Sequence, residues 1–205
     1  MTLNSGVAHE AEQFLDQAIK ENESKWHQRT LTIDSCFLSD NWFAWKYKGL
    51  LRLQAKDYDK AIEGLSQALR IEEKYVDTCQ TSQRVTWLTR LHRWSFSWAK
   101  LGFAFIKQKR YYEALPCYAK ALEYTPGDVT ALYYKGKAHF HTQDFAEARA
   151  CFDRVLEQPQ NFKNSYFYKG KMLVTEQKIS MAIQCFNKAL ERNPNKVTVH
   201  NEKGK

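Results

Sequence analysis

Apolar and polar positions along this chain follow a helical period almost throughout. Ala8, Ala11, Phe14, Leu15, Ala18 and Ile19 recur at steps of three and four, which predicts an amphipathic helix over about residues 7–23. From residue 42 onward the same period comes in pairs of segments. In one pair, Trp98, Leu101, Gly102 and Phe105 are followed, after a polar stretch, by Ala114, Tyr118 and Ala121. Such a pair is a helical hairpin. Gly102, Ala114 and Ala121 are small enough to let two helices approach closely, while Trp98, Phe105 and Tyr118 fill the space around them. Pro126 closes the unit because it cannot continue a helix.

The hairpin pattern recurs. Gly102, Gly136 and Gly170 stand 34 residues apart and carry similar neighbours. One repeat spans residues 42–75, with Trp45, Lys48-Gly49, Ala61, Leu65 and Ala68; the next spans 95–128. A third, 129–162, holds Leu132, Gly136, Phe145, Ala148, Phe152 and Val155, and a fourth, 163–196, holds Tyr166, Gly170, Leu173, Ala182, Phe186, Ala189 and Pro194. Strict repetition fails in two places. Gly49 and Gly102 are 53 residues apart, so residues 76–94 form an insertion of 19. Within it Trp87, Leu91 and Trp94 lead to Trp98 on one helical face, with Arg93 beside them and no Pro or Gly to interrupt. The spacing predicts a largely continuous helix over 76–107, its strongest part running from Ser82 to Lys107 and measuring roughly 39 Å. Its tryptophans are expected against the second helix of the first repeat.

Both ends are less regular. Residues 1–41 read as the N-terminal helix and a linker. That helix either echoes a second repeat helix and caps the stack, or is an unrelated amphipathic helix. Ser39-Asp40-Asn41 supplies N-cap chemistry before residue 42. At the other end, residues 197–205 read as the start of a capping helix or of a truncated fifth repeat, because Lys203-Gly204 falls 34 residues after Lys169-Gly170. A solenoid needs a polar-faced cap, which favours a piece of a longer repeat protein.

Composition narrows the picture. With 43% hydrophobic residues the 205-residue chain can bury a core, and 8 Gly and 4 Pro leave helix uninterrupted. No apolar run is long enough to span a membrane and residues 1–24 lack a secretory pattern, so a cytoplasmic site is expected. Cys117, Cys151 and Cys185 are 34 apart, each before an aromatic. They are one repeat position seen three times, on the order of 10 Å apart, too far for a disulfide or a shared metal. Buried apolar thiols are expected there, and an odd total of five cysteines without CxxC fits a reducing compartment.

These residues carry a resemblance. Over residues 42–196 the chain resembles the tetratricopeptide-repeat (TPR) superfamily, which implies an all-α superhelix of stacked helix-turn-helix repeats and a protein-interaction scaffold with a concave groove lined by first helices. The long insertion also resembles the TPR domains of FK506-binding immunophilin co-chaperones and, more distantly, interferon-induced TPR proteins that bind RNA. The co-chaperone resemblance implies a clamp for a chaperone's terminal carboxylates. Its five places are held here by Lys46, Leu50, Lys100, Thr130 and Tyr134, of which only Lys46 matches. A shift by one repeat puts Ala99, Asn164 and Tyr168 at key places and does not restore it.

The groove positions implied by the resemblance are Phe43, Lys46, Phe96, Lys100, Phe103, Lys107, Tyr133, Lys137, His141, Asn164, Phe167 and Lys171, none acidic. Arg93, Lys100 and Lys107 lie seven apart with Phe96 and Phe103 between them. Together with a net charge of +8, this favours an acidic peptide or protein partner. RNA is the alternative, with rings stacking on bases, and a co-chaperone-like adaptor without the full clamp is a second one. No phosphate loop, HExxH or nucleophile motif is present, and His139 and His141 point to different sides of a helix. A non-catalytic chain without cofactor, metal, membrane or small-molecule substrate is therefore expected.

Overall fold

The computed structural model describes residues 5–26, 40–78, 87–158 and 164–192, with side chains placed for 10–20, 42–71, 73, 94–158 and 164–191. Among them are nine helices and no strand: α1 (Ser5–Trp26), α2 (Asp40–Gln54), α3 (Tyr58–Thr78), α4 (Trp87–Lys107), α5 (Tyr111–Tyr124), α6 (Val129–His141), α7 (Phe145–Glu157), α8 (Ser165–Thr175) and α9 (Ile179–Arg192). The chain divides into two compact units, 1–109 and 110–205. The linker over 27–39, Cys36, Cys79, the middle of the insertion over 79–86, Pro194 and the segment 197–205 lie outside the described residues.

In the first unit α2 and α3 form a hairpin whose backbones touch. A methyl group on Gly64 would lie 2.9 Å from both Cα and N of Gly49, and one on Gly49 would lie 2.9 Å from the Leu65 nitrogen. Both glycines are therefore required by proximity. Around the crossing Trp42, Ala44, Ala61, Leu65, Ala68 and Leu69 are buried. α1 packs on α2 and is oriented by two ion pairs, Glu12 with Arg52 and Asp16 with Lys48.

α4 packs beside α3, and Gln108 at its C-terminal end donates to Asp59 in the first turn of α3 at 2.6 Å. The two helices therefore run antiparallel. That arrangement corrects the expectation of one helix over 76–107: residues 76–78 finish α3, the chain reverses, and α4 begins at Trp87. Trp94 is buried, as are Leu101, Ala104, Phe105 and Ile106. Trp87, Leu91 and Arg93 lie in the first two turns of α4, with side chains outside those described.

The second unit continues the hairpin theme with rings in place of a backbone crossing. α6 pairs with α7 and α8 with α9, while α5 packs on α6 and α7 on α8. Gly136 makes room for Cys151 and the ring of Phe152, and Gly170 for the ring of Phe186. Leu132, Tyr133, Ala148, Phe152, Val155 and Met172 form one core cluster; Leu173, Ala182, Phe186 and Ala189 form another. Asp128 caps α6, accepting from the Thr130 and Ala131 amides at 2.8 and 3.1 Å. Cys117 and Cys151 are buried and Cys185 half-buried, and burial raises all three thiols, Cys117 to about 12. A thiol held protonated in this way is not a nucleophile near neutrality.

The turns that follow α2, α4, α6 and α8 share one backbone device. Lys56, Lys109, Gln143 and Gln177 have φ of 62°, 63°, 66° and 58°. The amide after the left-handed residue reaches back across the helix end in three of them, Asp57 to Arg52 O at 3.0 Å, Asp144 to His139 O at 2.9 Å and Lys178 to Leu173 O at 2.9 Å. These are Schellman closures built without glycine.

Candidate functional site

The candidate groove residues fall on α2, α4, α6 and α8, with Asn164 at the N-cap of α8, and each unit presents its own set. In the first unit α2 and α4 supply them. The Lys46 ammonium lies 4.7 Å from the Trp42 ring centre and 5.3 Å from that of Phe96. Lys100 stands over the same Phe96 ring at 5.0 Å, and Lys107 over Phe103 at 5.1 Å. Two ammonium groups thus converge on one phenyl ring. The ring's negative face attracts each cation, but nothing in that contact neutralises charge. Among the described residues neither Lys100 nor Lys107 pairs with a carboxylate.

The aromatic part of this face is open to solvent. Phe43 is 44% exposed, Tyr47 54% and Phe96 43%, and the rings of Phe43 and Tyr47 stack with centres 6.4 Å apart. Tyr47 was not among the residues expected from the sequence, although it stands one helical turn after Phe43. Trp94, by contrast, is a core residue, in keeping with the burial expected of the insertion's tryptophans.

In the second unit α6 and α8 supply the face. Tyr133 does not line an open groove: it is 5% exposed, packs against Tyr134, Phe152 and Tyr168, and hydrogen-bonds the Asn164 side chain. Its position three residues before Gly136 faces the neighbouring hairpin, where a large ring completes the core. His141 is exposed at its edge and stacks on Tyr111 with ring centres 4.3 Å apart. Burial on that side lowers its pKa, and the charges of Lys137 and Lys171 lower it further. Lys171 stands 5.8 Å from both the Phe140 and Phe167 rings. Lys137, His141 and Lys171 are therefore brought together, and Tyr111 is the partner that spacing alone did not reveal. Among the described residues no group of His, Cys, Asp and Glu could hold a metal ion, and no helix is long and apolar enough to cross a membrane.

Residues 100–162 match the tetratricopeptide repeat family, and residues 164–196 match a second tetratricopeptide repeat pattern. Over these two segments the chain carries tetratricopeptide repeats. Solved structures agree with that fold. MamA superposes with a TM-score of 0.66 at 15% identity, covering 82% of this chain and 81% of its own. YrrB, a TPR protein with an unusual peptide-binding site, gives 0.66 at 18% identity, covering 94% and 85%. The first TPR of Spaghetti (RPAP3), bound to the HSP90 peptide SRMEEVD, gives 0.52 at 23% identity, covering 55% and 90%. A comparison with curated protein sequences finds no match. At these identities the likeness carries the all-α TPR fold; the coarse role that goes with such repeats is that of a protein-interaction scaffold.

Proposed function

We propose that this TPR chain is a non-catalytic scaffold whose first-helix faces bind an acidic peptide segment of a partner protein. The observation that carries this reading is the convergence of Lys46 and Lys100 on the half-exposed ring of Phe96, with Lys107 over Phe103 further along α4. A carboxylate arriving there meets two ammonium groups at once, and an apolar neighbour meets an exposed aromatic. Lys137, His141 and Lys171 repeat the chemistry in the second unit. Two fold relatives support peptide binding as the mode, RPAP3 holding an acidic heptapeptide and YrrB a peptide-binding site of its own. The incomplete clamp argues against the usual way of holding a chaperone tail. A cytosolic setting fits the free cysteines.

The test is a titration of the full chain with an acidic, leucine-containing peptide and, separately, with single-stranded RNA, each at two salt concentrations. Phe96→Ala should cost the peptide about 1–3 kcal/mol, because a desolvated aromatic anchor carries more interface energy than a rim charge. Tight RNA binding that is abolished by Lys100→Glu with Lys107→Glu, and that falls steeply with salt through counterion release, would replace the peptide reading with an RNA one.

A further inference from the structure

The spacing of cations along α4 restricts the shape of the acidic partner. Lys100 stands over Phe96 and Lys107 over Phe103, so an ammonium-over-phenyl pair occurs twice at an interval of seven residues. At 1.5 Å per residue the two pairs are roughly 10.5 Å apart, and seven residues are close to two full turns, which keeps them on one face. The Phe103 ring lies under the second ammonium as the Phe96 ring lies under the first. Lys46, reaching over from α2 to the Phe96 ring, doubles the charge at the first of them. The face therefore reads two cations over one ring and, two turns on, a single cation over a second ring.

An occupant must offer carboxylates at the same interval with an apolar group between. A β-strand repeats a given face every two residues, or about 6.7 Å, so its same-face side chains fall near 6.7 or 13.4 Å and miss the second lysine. An α-helix offers positions i and i+7 at about 10.5 Å on one face, with i+3 and i+4 between them.

We infer that the first unit receives an amphipathic helix of a partner protein lying along α4, with one acidic residue at the Lys46 and Lys100 pair, a second seven positions on at Lys107, and apolar residues between them facing the Phe96 and Phe103 rings. This rests on the acidic-peptide reading and adds the partner's conformation and register. Charge complementarity identifies the occupant: a second copy of this chain, at +8, would bring a like-charged surface.

Three synthetic peptides of about 15 residues, long enough for a helix to form in water, test the inference. All have one composition. The first is helical with Glu at i and i+7 and Leu at i+3 and i+4; the second moves the later Glu to i+5, onto the far side of the helix; the third rearranges the first so that its proline, placed at the N-terminus in the other two, breaks the helix at the centre. Binding to the full chain is measured by isothermal titration at fixed salt. The first peptide should bind about tenfold tighter than the other two, and Lys107→Gln should weaken it about threefold to tenfold while leaving the i+5 peptide unchanged. Equal affinity of the helical and proline-broken peptides overturns the helical partner and leaves an acidic ligand standing. Failure of all three to bind overturns both readings.

Discussion

The hairpin of α2 and α3 and the hairpins of the second unit bring two helices together by different means. In the first, Gly49 and Gly64 put backbone on backbone, and Leu65 stands next to the crossing. In the second unit the place of Gly64 is held by Cys151 and Cys185, and the place of Leu65 by Phe152 and Phe186, so a single glycine faces a phenyl ring. The difference teaches where tolerance lies. A ring can swing when its cavity changes, whereas a helix backbone moves only with the whole helix. One repeat pattern therefore hides a rigid crossing in the first unit and adaptable ones in the second.

The largest effects expected test that contrast. Gly64→Ala should destabilise the α2–α3 hairpin by about 1–3 kcal/mol through overpacking, despite the ~1 kcal/mol that alanine gains in helix propensity. Its new methyl would lie 2.9 Å from the Gly49 backbone, so trimming Leu65→Ala should not relieve it. Gly170→Ala should cost a similar amount, because its methyl would lie 2.5 Å from the Phe186 ring. There, however, Phe186→Leu should recover about 1 kcal/mol in a double-mutant cycle. Gly127→Ala meets nothing within 4 Å and is the control. Hydrogen exchange resolved over 40–78 and 164–192 reads the two hairpins separately. Equal rescue in both hairpins would erase the distinction.

The turns predict a smaller effect of the opposite sign, shared by both units. Left-handed backbone costs a residue with a Cβ about 1 kcal/mol, and glycine avoids that cost. Lys56→Gly and Gln143→Gly should each stabilise their hairpin by roughly 0.5–1 kcal/mol, less whatever freedom glycine adds to the unfolded chain. Urea midpoints of the two variants measure it. A gain in one unit alone would mean that the two turns, alike in φ, differ in strain.

What was legible in the sequence follows the same division. The 34-residue phase located Gly136, Gly170 and their hairpins, because glycine, alanine and ring positions report directly on helix approach. The Gly64 crossing was missed even though its signal was present, a glycine standing where Cys117, Cys151 and Cys185 stand in the later repeats. The turn residues gave no sign, since Lys and Gln carry no preference for positive φ. Tyr133 reads as a groove residue in the sequence because a helical face tells which side a ring is on and not how deeply the next hairpin covers it. The lysines over Phe96 and Phe103 were readable along α4 from their four-residue offsets, whereas the arrival of Lys46 from α2 depends on packing that no local pattern encodes. The insertion was over-extended for a related reason: an unbroken helical period does not say where a chain reverses.

The smallest effect expected belongs to His141, which occupies in the second unit the repeat position that Lys107 occupies in the first, five residues after the repeat glycine. Burial against its surroundings opposes protonation of the imidazole, and the charges of Lys137 and Lys171 add to that opposition, so its pKa lies below the ordinary 6.5. The unfolded chain then binds a proton that the folded chain refuses. Stability is fully present above about pH 6.5 and is lost as pH falls through the lower, folded value, below which the loss is complete and constant. Unit 1 has no imidazole at this position, so the matching titration is absent from its face. Following the His141 ring resonances by NMR should give a midpoint under 6.5, and Lys137→Gln with Lys171→Gln should move it upward. A midpoint unmoved by that pair of substitutions would show that the two ammonium groups do not converge on the ring, and the second unit's face would lose the cationic character that makes it the counterpart of the first.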